Sequence, residues 1–168
     1  MIRKIGELSP KEVLALAIHI EQANGRRLRH FADAFSGRDG QVTEKFQELA
    51  EEERQHEIWL TEKFKRRFKG PIPSISEFDV KGVVEAVEWD DSEHAIFGSL
   101  TPDQVFRLAL VAENNARRFY EEAESTAIDK SLRLLFRQLG AMENDHAGWL
   151  EKKIQGPDKK NARTGAEA

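Results

Sequence analysis

Residues 46–60 have the sequence FQELAEEERQHEIWL, whose apolar residues recur at the spacing of one continuous helix. Glu53 and His56 lie on the apolar face of that helix. Residues three positions apart on a helix share nearly the same face, so both side chains can reach one point in space. Residues 136–150, FRQLGAMENDHAGWL, repeat the pattern. The second stretch carries the same pair at the same spacing, Glu143 and His146.

The composition indicates one soluble domain that binds neither nucleic acid nor a membrane. The chain has 168 residues, of which 39% are hydrophobic and 33% are charged, which is typical of a globular domain with a core. The net charge is −4, and lysines and arginines are scattered, so a nucleic-acid surface is not expected. No apolar run approaches the roughly 20 residues of a membrane span, and the N-terminal residues lack a signal peptide's apolar region. A cytoplasmic location is therefore expected.

The absence of cysteine restricts the possible chemistry. It excludes disulfides, thiol catalysis, and zinc or iron sites built from thiolates. Carboxylates and histidines remain as the plausible metal ligands.

Capping signals predict where the helices begin and end. Ser9-Pro10-Lys11-Glu12 and Thr101-Pro102-Asp103-Gln104 are capping boxes with proline at the first helical position. Glycines and prolines at 36–40 and 70–73 predict a short turn and a helix end. The pattern thus predicts an all-α fold with helices at 10–35, 41–69, 101–126 and 130–155.

The remaining segments are assigned as connection and tail. Residues 71–100 are expected to form a long crossover between the second and third helices, with a short amphipathic helix at 79–87 and irregular chain at 89–98. The predicted domain covers residues 1–157. Residues 158–168 are polar and small, and a disordered tail is expected.

An internal repeat relates the two halves of the chain. Residues 8–21, LSPKEVLALAIHIE, align with residues 100–113, LTPDQVFRLALVAE, and each stretch ends in a glutamate on the apolar stripe of its helix. The two helices with the Glu-x-x-His pairs align in the same way. Two related helical hairpins are expected to pack with approximate twofold symmetry as a four-helix bundle. This symmetry gathers six residues around one central site: Glu21, Glu53, His56, Glu113, Glu143 and His146.

The six residues suit a pair of divalent metal ions. Buried carboxylates are costly unless they are paired or bound to metal. Four ionised glutamates with two neutral histidines carry a charge of −4, which two divalent cations neutralise. Oxygen-rich ligand sets with one nitrogen per metal favour iron(II) or manganese(II), and zinc could occupy the same set.

With these residues, the sequence resembles the rubrerythrin branch of the ferritin-like di-iron superfamily over about residues 5–155. It is most similar to the ferritin-like domain that some bacterial proteins fuse to a membrane iron transporter of the vacuolar type. The resemblance implies a ferritin-like four-helix bundle in which the six residues are the metal ligands and also the catalytic residues. It also implies bridging carboxylates among Glu53 and Glu113 or their counterparts, and the spacing leaves open which residues bridge. Members of the family reduce hydrogen peroxide, or oxidise iron(II) with oxygen or peroxide.

The chain departs from that family in three respects. Rubrerythrins carry a cysteine-rich rubredoxin domain that supplies electrons, so this cysteine-free chain is expected to use an external electron donor. They also carry an additional glutamate where this chain has Ala116. The membrane transporter portion is missing as well, so a storage or export role would need a partner.

The function expected first is an oxidoreductase of peroxidase or ferroxidase type, and two other functions stay open. The chain could sequester or deliver iron without turnover, or it could be a structural helical protein that holds zinc or no metal. Asn24 and Glu57 are expected beside the site, and Tyr120 could form a hydrogen bond near the metals. Three other histidines are interpreted as surface or loop residues: His19, His30 and His94.

A homodimer is possible, with an apolar face at Trp59, Trp149 and Phe68, and the long crossover would permit hairpin exchange between chains.

Overall fold

Four long α-helices make up most of the described part of the chain, as the sequence predicts. The computed structural model describes residues 3–75, 79–80 and 99–155. The helices are α1 (Pro10–Phe35), α2 (Gly40–Arg67), α3 (Pro102–Thr126) and α4 (Lys130–Gln155). Helix α1 packs along α2 and α3 packs along α4, and the two hairpins meet through α1 and α3. The all-α bundle of two paired hairpins is confirmed.

Some predicted segments cannot be compared with the structure. The crossover prediction concerns mainly residues 81–98, and the tail prediction concerns residues 158–168; both stretches lie outside the described residues. His94 lies outside them too. The domain limits therefore stay a prediction.

Local side-chain chemistry fixes the helix ends. The Ser9 hydroxyl accepts from the backbone N–H of Glu12, whose carboxylate accepts from the Ser9 backbone N–H at 2.9 Å. Thr101 and Gln104 form the same reciprocal pair, with the Thr101 backbone N–H donating at 2.8 Å. Both capping boxes are confirmed. Helix α2 ends two residues earlier than predicted, at Arg67.

Two apolar clusters fill the bundle, one on each side of a polar layer. One contains the start of α1 and α4 and the end of α2 and α3; the other contains the opposite ends of the same helices. The largest fully buried side chains of the two clusters include Tyr120, Phe31, Phe35, Phe46, Phe64, Phe119 and Phe136. The polar layer is therefore shielded by apolar packing along the bundle axis in both directions.

The three aromatic residues predicted to form an apolar face differ in their exposure. Trp59 is 46% exposed, but Trp149 and Phe68 are half-buried. Trp149 packs edge-on against Phe106, at 5.9 Å between ring centroids, and Phe68 packs on Phe64 at 5.4 Å. These contacts cover two of the three side chains within the bundle itself, which periodicity alone does not show.

Candidate metal centre

The polar layer brings together all six residues that the repeat predicts. Each helix contributes one glutamate, and α2 and α4 each add the histidine one turn later. Their relative exposure does not exceed 5%, although ordinary glutamates are almost never buried without a partner. The six are Glu21 on α1, Glu53 and His56 on α2, Glu113 on α3, and Glu143 and His146 on α4.

The six side chains form two overlapping groups of four. In each group, every residue offers one possible ligand atom, and these atoms lie within 4.8 Å of one another. The first group contains Glu21, Glu53, His56 and Glu143, and the second contains Glu53, Glu113, Glu143 and His146. Two groups with shared members could hold a pair of neighbouring metal ions.

Glu53 and Glu143 belong to both groups, whereas Glu21 and Glu113 each belong to one. The resemblance implied bridging carboxylates among Glu53 and Glu113 or their counterparts, and the spacing left open which residues bridge. The two residues common to both groups are Glu53 and Glu143, which are equivalent in the repeat and come from the two helices that carry the histidines. The side-chain positions make this distinction, since sequence spacing gives all four glutamates the same standing.

Both imidazole rings direct Nδ1 towards the carboxylates. Nδ1 of His56 lies 3.2 Å from Glu21 Oε2 and 3.3 Å from Glu143 Oε1. Nδ1 of His146 lies 3.1 Å from Glu53 Oε1 and 3.4 Å from Glu113 Oε2. The two rings are nearly parallel, with 12° between their planes and 5.9 Å between centroids. Each group thus has one nitrogen donor.

Unpaired polar atoms show that the donor set fits metal ions. Both carboxylate oxygens of Glu53, Glu113 and Glu143 are buried and find no hydrogen-bond partner among the described residues, and the same holds for Nδ1 of His146. A buried polar atom without a partner costs about 1–3 kcal/mol, and a charged one costs more. Metal ions within the two groups would satisfy these atoms together.

The electrostatics of the metal-free cluster favour bound protons. Burial, and then the negative charge of Glu53, raises the pKa of Glu21 well above its ordinary value, and burial raises that of Glu143 in the same way. Burial opposes a charge on His56 and His146, but contacts with the carboxylates outweigh it and raise their pKa to about 10 and about 12. Burial also opposes ionisation of Glu53, yet contacts with Glu21 and both histidines lower its pKa.

Comparison with known families identifies the one to which this four-helix chain belongs. The sequence model of the rubrerythrin family matches residues 12–154, a span that includes all six clustered residues. The chain belongs to the rubrerythrin family. Among proteins of curated function, none matches it significantly.

Two solved structures share the ferritin-like fold of this rubrerythrin-family chain. An uncharacterised conserved protein from Magnetospirillum magnetotacticum is similar at 19% identity with a TM-score of 0.71, covering 88% of this chain and 95% of its own. A hypothetical protein from Pyrococcus furiosus is similar at 23% identity with a TM-score of 0.67, covering 91% and 94%. Within the described residues, no helix is both long enough and apolar enough to cross a bilayer.

Of the three residues predicted beside the cluster, Tyr120 forms a hydrogen bond with one of its members. Tyr120 is fully buried, and its hydroxyl donates to Glu21 Oε1, which confirms the predicted hydrogen bond beside the cluster. Asn24 is buried next to Glu21 and accepts from Arg27 at 2.8 Å. Glu57 accepts from Gln22 at 2.7 Å.

Two histidines lie outside both ligand groups, as expected. His19 and His30 are half-buried on other faces of α1.

Sequence reasoning missed Glu52. Its Oε2 lies 2.6 Å from Nε2 of His146, on a different helix. The residue stands in a run of three glutamates, and its equivalent in the repeat is Met142, so neither composition nor symmetry distinguishes it. Only the packing of α2 beside α4 brings this carboxylate to the ring.

Proposed function

We propose that this protein is a di-iron oxidoreductase that reduces hydrogen peroxide or oxygen while Fe(II) is oxidised, with the six clustered residues as metal ligands. The observation that carries the proposal is the pair of overlapping ligand groups, which share Glu53 and Glu143. Four carboxylates and two imidazoles in a shielded layer match the di-metal sites of ferritin-like proteins.

Iron is the metal that this ligand set and the proposed reaction favour. Oxygen-rich sets with one nitrogen per metal also accept manganese or zinc, but zinc has no redox chemistry. Two Fe(II) ions, when bound, supply two electrons and exchangeable coordination positions for the oxidant.

The protein's own residues hold and shield the site. Glu53 and Glu143, which belong to both ligand groups, would be shared by the two metal ions, and Glu21 and Glu113 would each complete one group. The Tyr120 hydroxyl holds one oxygen of Glu21, which fixes the direction of its carboxylate. The apolar clusters on either side exclude bulk water, which strengthens electrostatic interactions within the layer.

The remaining partners belong to the proposal. The chain has no cysteine with which to hold an iron–sulfur or rubredoxin-type centre, which supports an external electron donor. We place the protein in the cytoplasm on its composition. A homodimer stays a prediction, and Trp59, 46% exposed, is the apolar side chain available to it among the three predicted.

The decisive experiment distinguishes turnover from storage. Protein loaded anaerobically with Fe(II) is mixed with peroxide or air while the near-ultraviolet absorption of oxo-bridged ferric iron is followed; a chemical reductant is then added. The proposal expects the band to form, to disappear on reduction, and to form again over many cycles. A single oxidation with retained ferric iron would support the alternative, iron sequestration. No spectral change on addition of Fe(II) and oxidant would contradict both functions.

A matched control is available on the same helix. Glu51→Gln changes an exposed glutamate of α2 that pairs with Arg54, 2.7 Å away, and does not belong to either ligand group. It is expected to leave the spectral cycle unchanged, whereas Glu143→Gln is expected to abolish it.

A further inference from the structure

His146, the histidine of the second ligand group, contacts the carboxylate of Glu52. Glu52 lies on α2 with its side chain 41% exposed, and its Oε2 lies 2.6 Å from Nε2 of His146 on α4. The His146 side chain is only 6% exposed. Nε2 is the ring nitrogen opposite Nδ1, and Nδ1 is the atom that lies among the carboxylates of the second group.

The two histidines differ in this respect. Nε2 of His56 is buried and has no hydrogen-bond partner within residues 3–75, 79–80 and 99–155, so no carboxylate of those residues orients that ring from behind. The repeat places Met142 at the position in α4 that corresponds to Glu52 in α2. The approximate symmetry of the bundle is therefore broken at one ring, by one carboxylate.

The contact differs from an ordinary surface ion pair. The neighbouring Glu51 pairs with Arg54 of its own helix, and both side chains are more than half exposed. Pairs of that kind contribute little, because solvent screens them. Glu52 instead contacts a nearly buried ring that is 94 residues distant in sequence and belongs to another helix.

We infer that Glu52 is a positioning residue that makes the two metal positions unequal. Its carboxylate accepts a hydrogen bond from Nε2–H of His146. This keeps a proton on Nε2, so that the proton a metal ion displaces is the one on Nδ1, and the Nδ1 lone pair then becomes available to the second ligand group. A carboxylate behind a ligand histidine fixes the ring and makes it a stronger donor. The inference rests on the proposed metal binding and concerns only the position next to His146.

The test is a titration of metal-free protein with Mn(II), with calorimetry and electron paramagnetic resonance as readouts. Wild-type protein is expected to bind two Mn(II) ions. Glu52→Ala is expected to weaken one of the two by about 10- to 100-fold, as the loss of such a carboxylate does elsewhere, and to leave the other unchanged. Glu52→Gln keeps a carbonyl oxygen as acceptor and should retain most of the affinity. Glu51→Ala removes the same charge one residue away and should have no effect.

A second readout follows the hydrogen bond itself. In ¹⁵N-labelled metal-free protein, the Nε2–H proton of His146 should give a slowly exchanging, downfield resonance. The resonance should persist in Glu52→Gln and disappear in Glu52→Ala.

The outcomes separate this inference from the proposed function. Two bound Mn(II) ions in both wild type and Glu52→Ala, with unchanged affinities, would overturn the inference alone. Equal weakening of both positions would overturn it as well, because the carboxylate contacts only one ring. A wild-type protein that binds no metal would refute the proposed function, and the inference with it.

Discussion

Metal binding should stabilise the bundle, and the gain should depend on which glutamate is changed. A ligand at 100 times its dissociation constant stabilises the folded state by about 2.7 kcal/mol. Two ligand groups therefore give about 5 kcal/mol when both positions are filled. In a chain of this size, 1 kcal/mol corresponds to about 2–4 °C, so Mn(II) should raise the melting temperature by about 10–20 °C.

Glu21→Gln and Glu143→Gln separate a residue of one group from a residue of both. Burial raises the pKa of both carboxyl groups and so favours their neutral form, which glutamine resembles in charge and shape. Both variants should therefore melt close to wild type when metal-free. Glu21 belongs to one group, so its variant should keep about half of the Mn(II) shift. Glu143 belongs to both, so its variant should lose nearly all of it.

The assay is thermal unfolding followed by circular dichroism, with and without Mn(II), at matched free metal concentration. Glu51→Gln serves as the control and should show the full shift. Equal shifts in Glu21→Gln and Glu143→Gln would refute the assignment of shared and single ligands. Full shifts in both would refute metal binding by the cluster.

The remaining predictions concern Tyr120, two glycines of α4 and the protons on the two histidines of the cluster. Tyr120→Phe removes the hydrogen bond to Glu21 inside the core and should lower the free energy of unfolding, measured in urea, by about 1–3 kcal/mol. An unchanged free energy would mean that this hydrogen bond contributes nothing to stability. Gly148→Ala should stabilise α4 by about 0.5–1 kcal/mol, since no atom of the described residues lies within 4 Å of the added Cβ. Gly140→Ala should give less, or a loss, because its Cβ would lie 3.3 Å from Tyr120 Cβ; equal gains would show that Tyr120 moves freely. His56 and His146, with pKa about 10 and about 12, hold protons that Mn(II) must displace, so the affinity for Mn(II) should rise with pH between 6 and 8. Calorimetry in buffers of different ionisation enthalpy should detect the released protons. An affinity that does not depend on pH would contradict protonated histidine rings.

The repeat explains why the cluster could be predicted from the sequence. A single Glu-x-x-His pair is a weak signal in a chain with many glutamates. Two such pairs at equivalent positions, with Glu21 and Glu113 on the remaining helices, leave little freedom once the hairpins pack together. The capping residues Ser9 and Thr101 likewise determine helix starts by local hydrogen bonds, which are a property of a few adjacent residues.

The features that escaped prediction depend on how helices rotate against each other. The contact of Glu52 with His146 joins residues on α2 and α4, and periodicity along either helix does not specify it. The same holds for the shared position of Glu143, since spacing ranks the four glutamates equally. Trp149 shows a related limit: its periodicity allows an outward position, but Phe106 of the adjacent helix covers one side of the ring.

The number of iron ions per chain tests the central claim most directly. Metal-free protein is incubated anaerobically with excess Fe(II) and desalted, and iron is measured by inductively coupled plasma mass spectrometry against protein from quantitative amino-acid analysis. The two overlapping ligand groups predict two iron ions per chain, and fewer than one in Glu143→Gln. No retained iron in the wild type, or the same iron content in Glu143→Gln, would contradict the account.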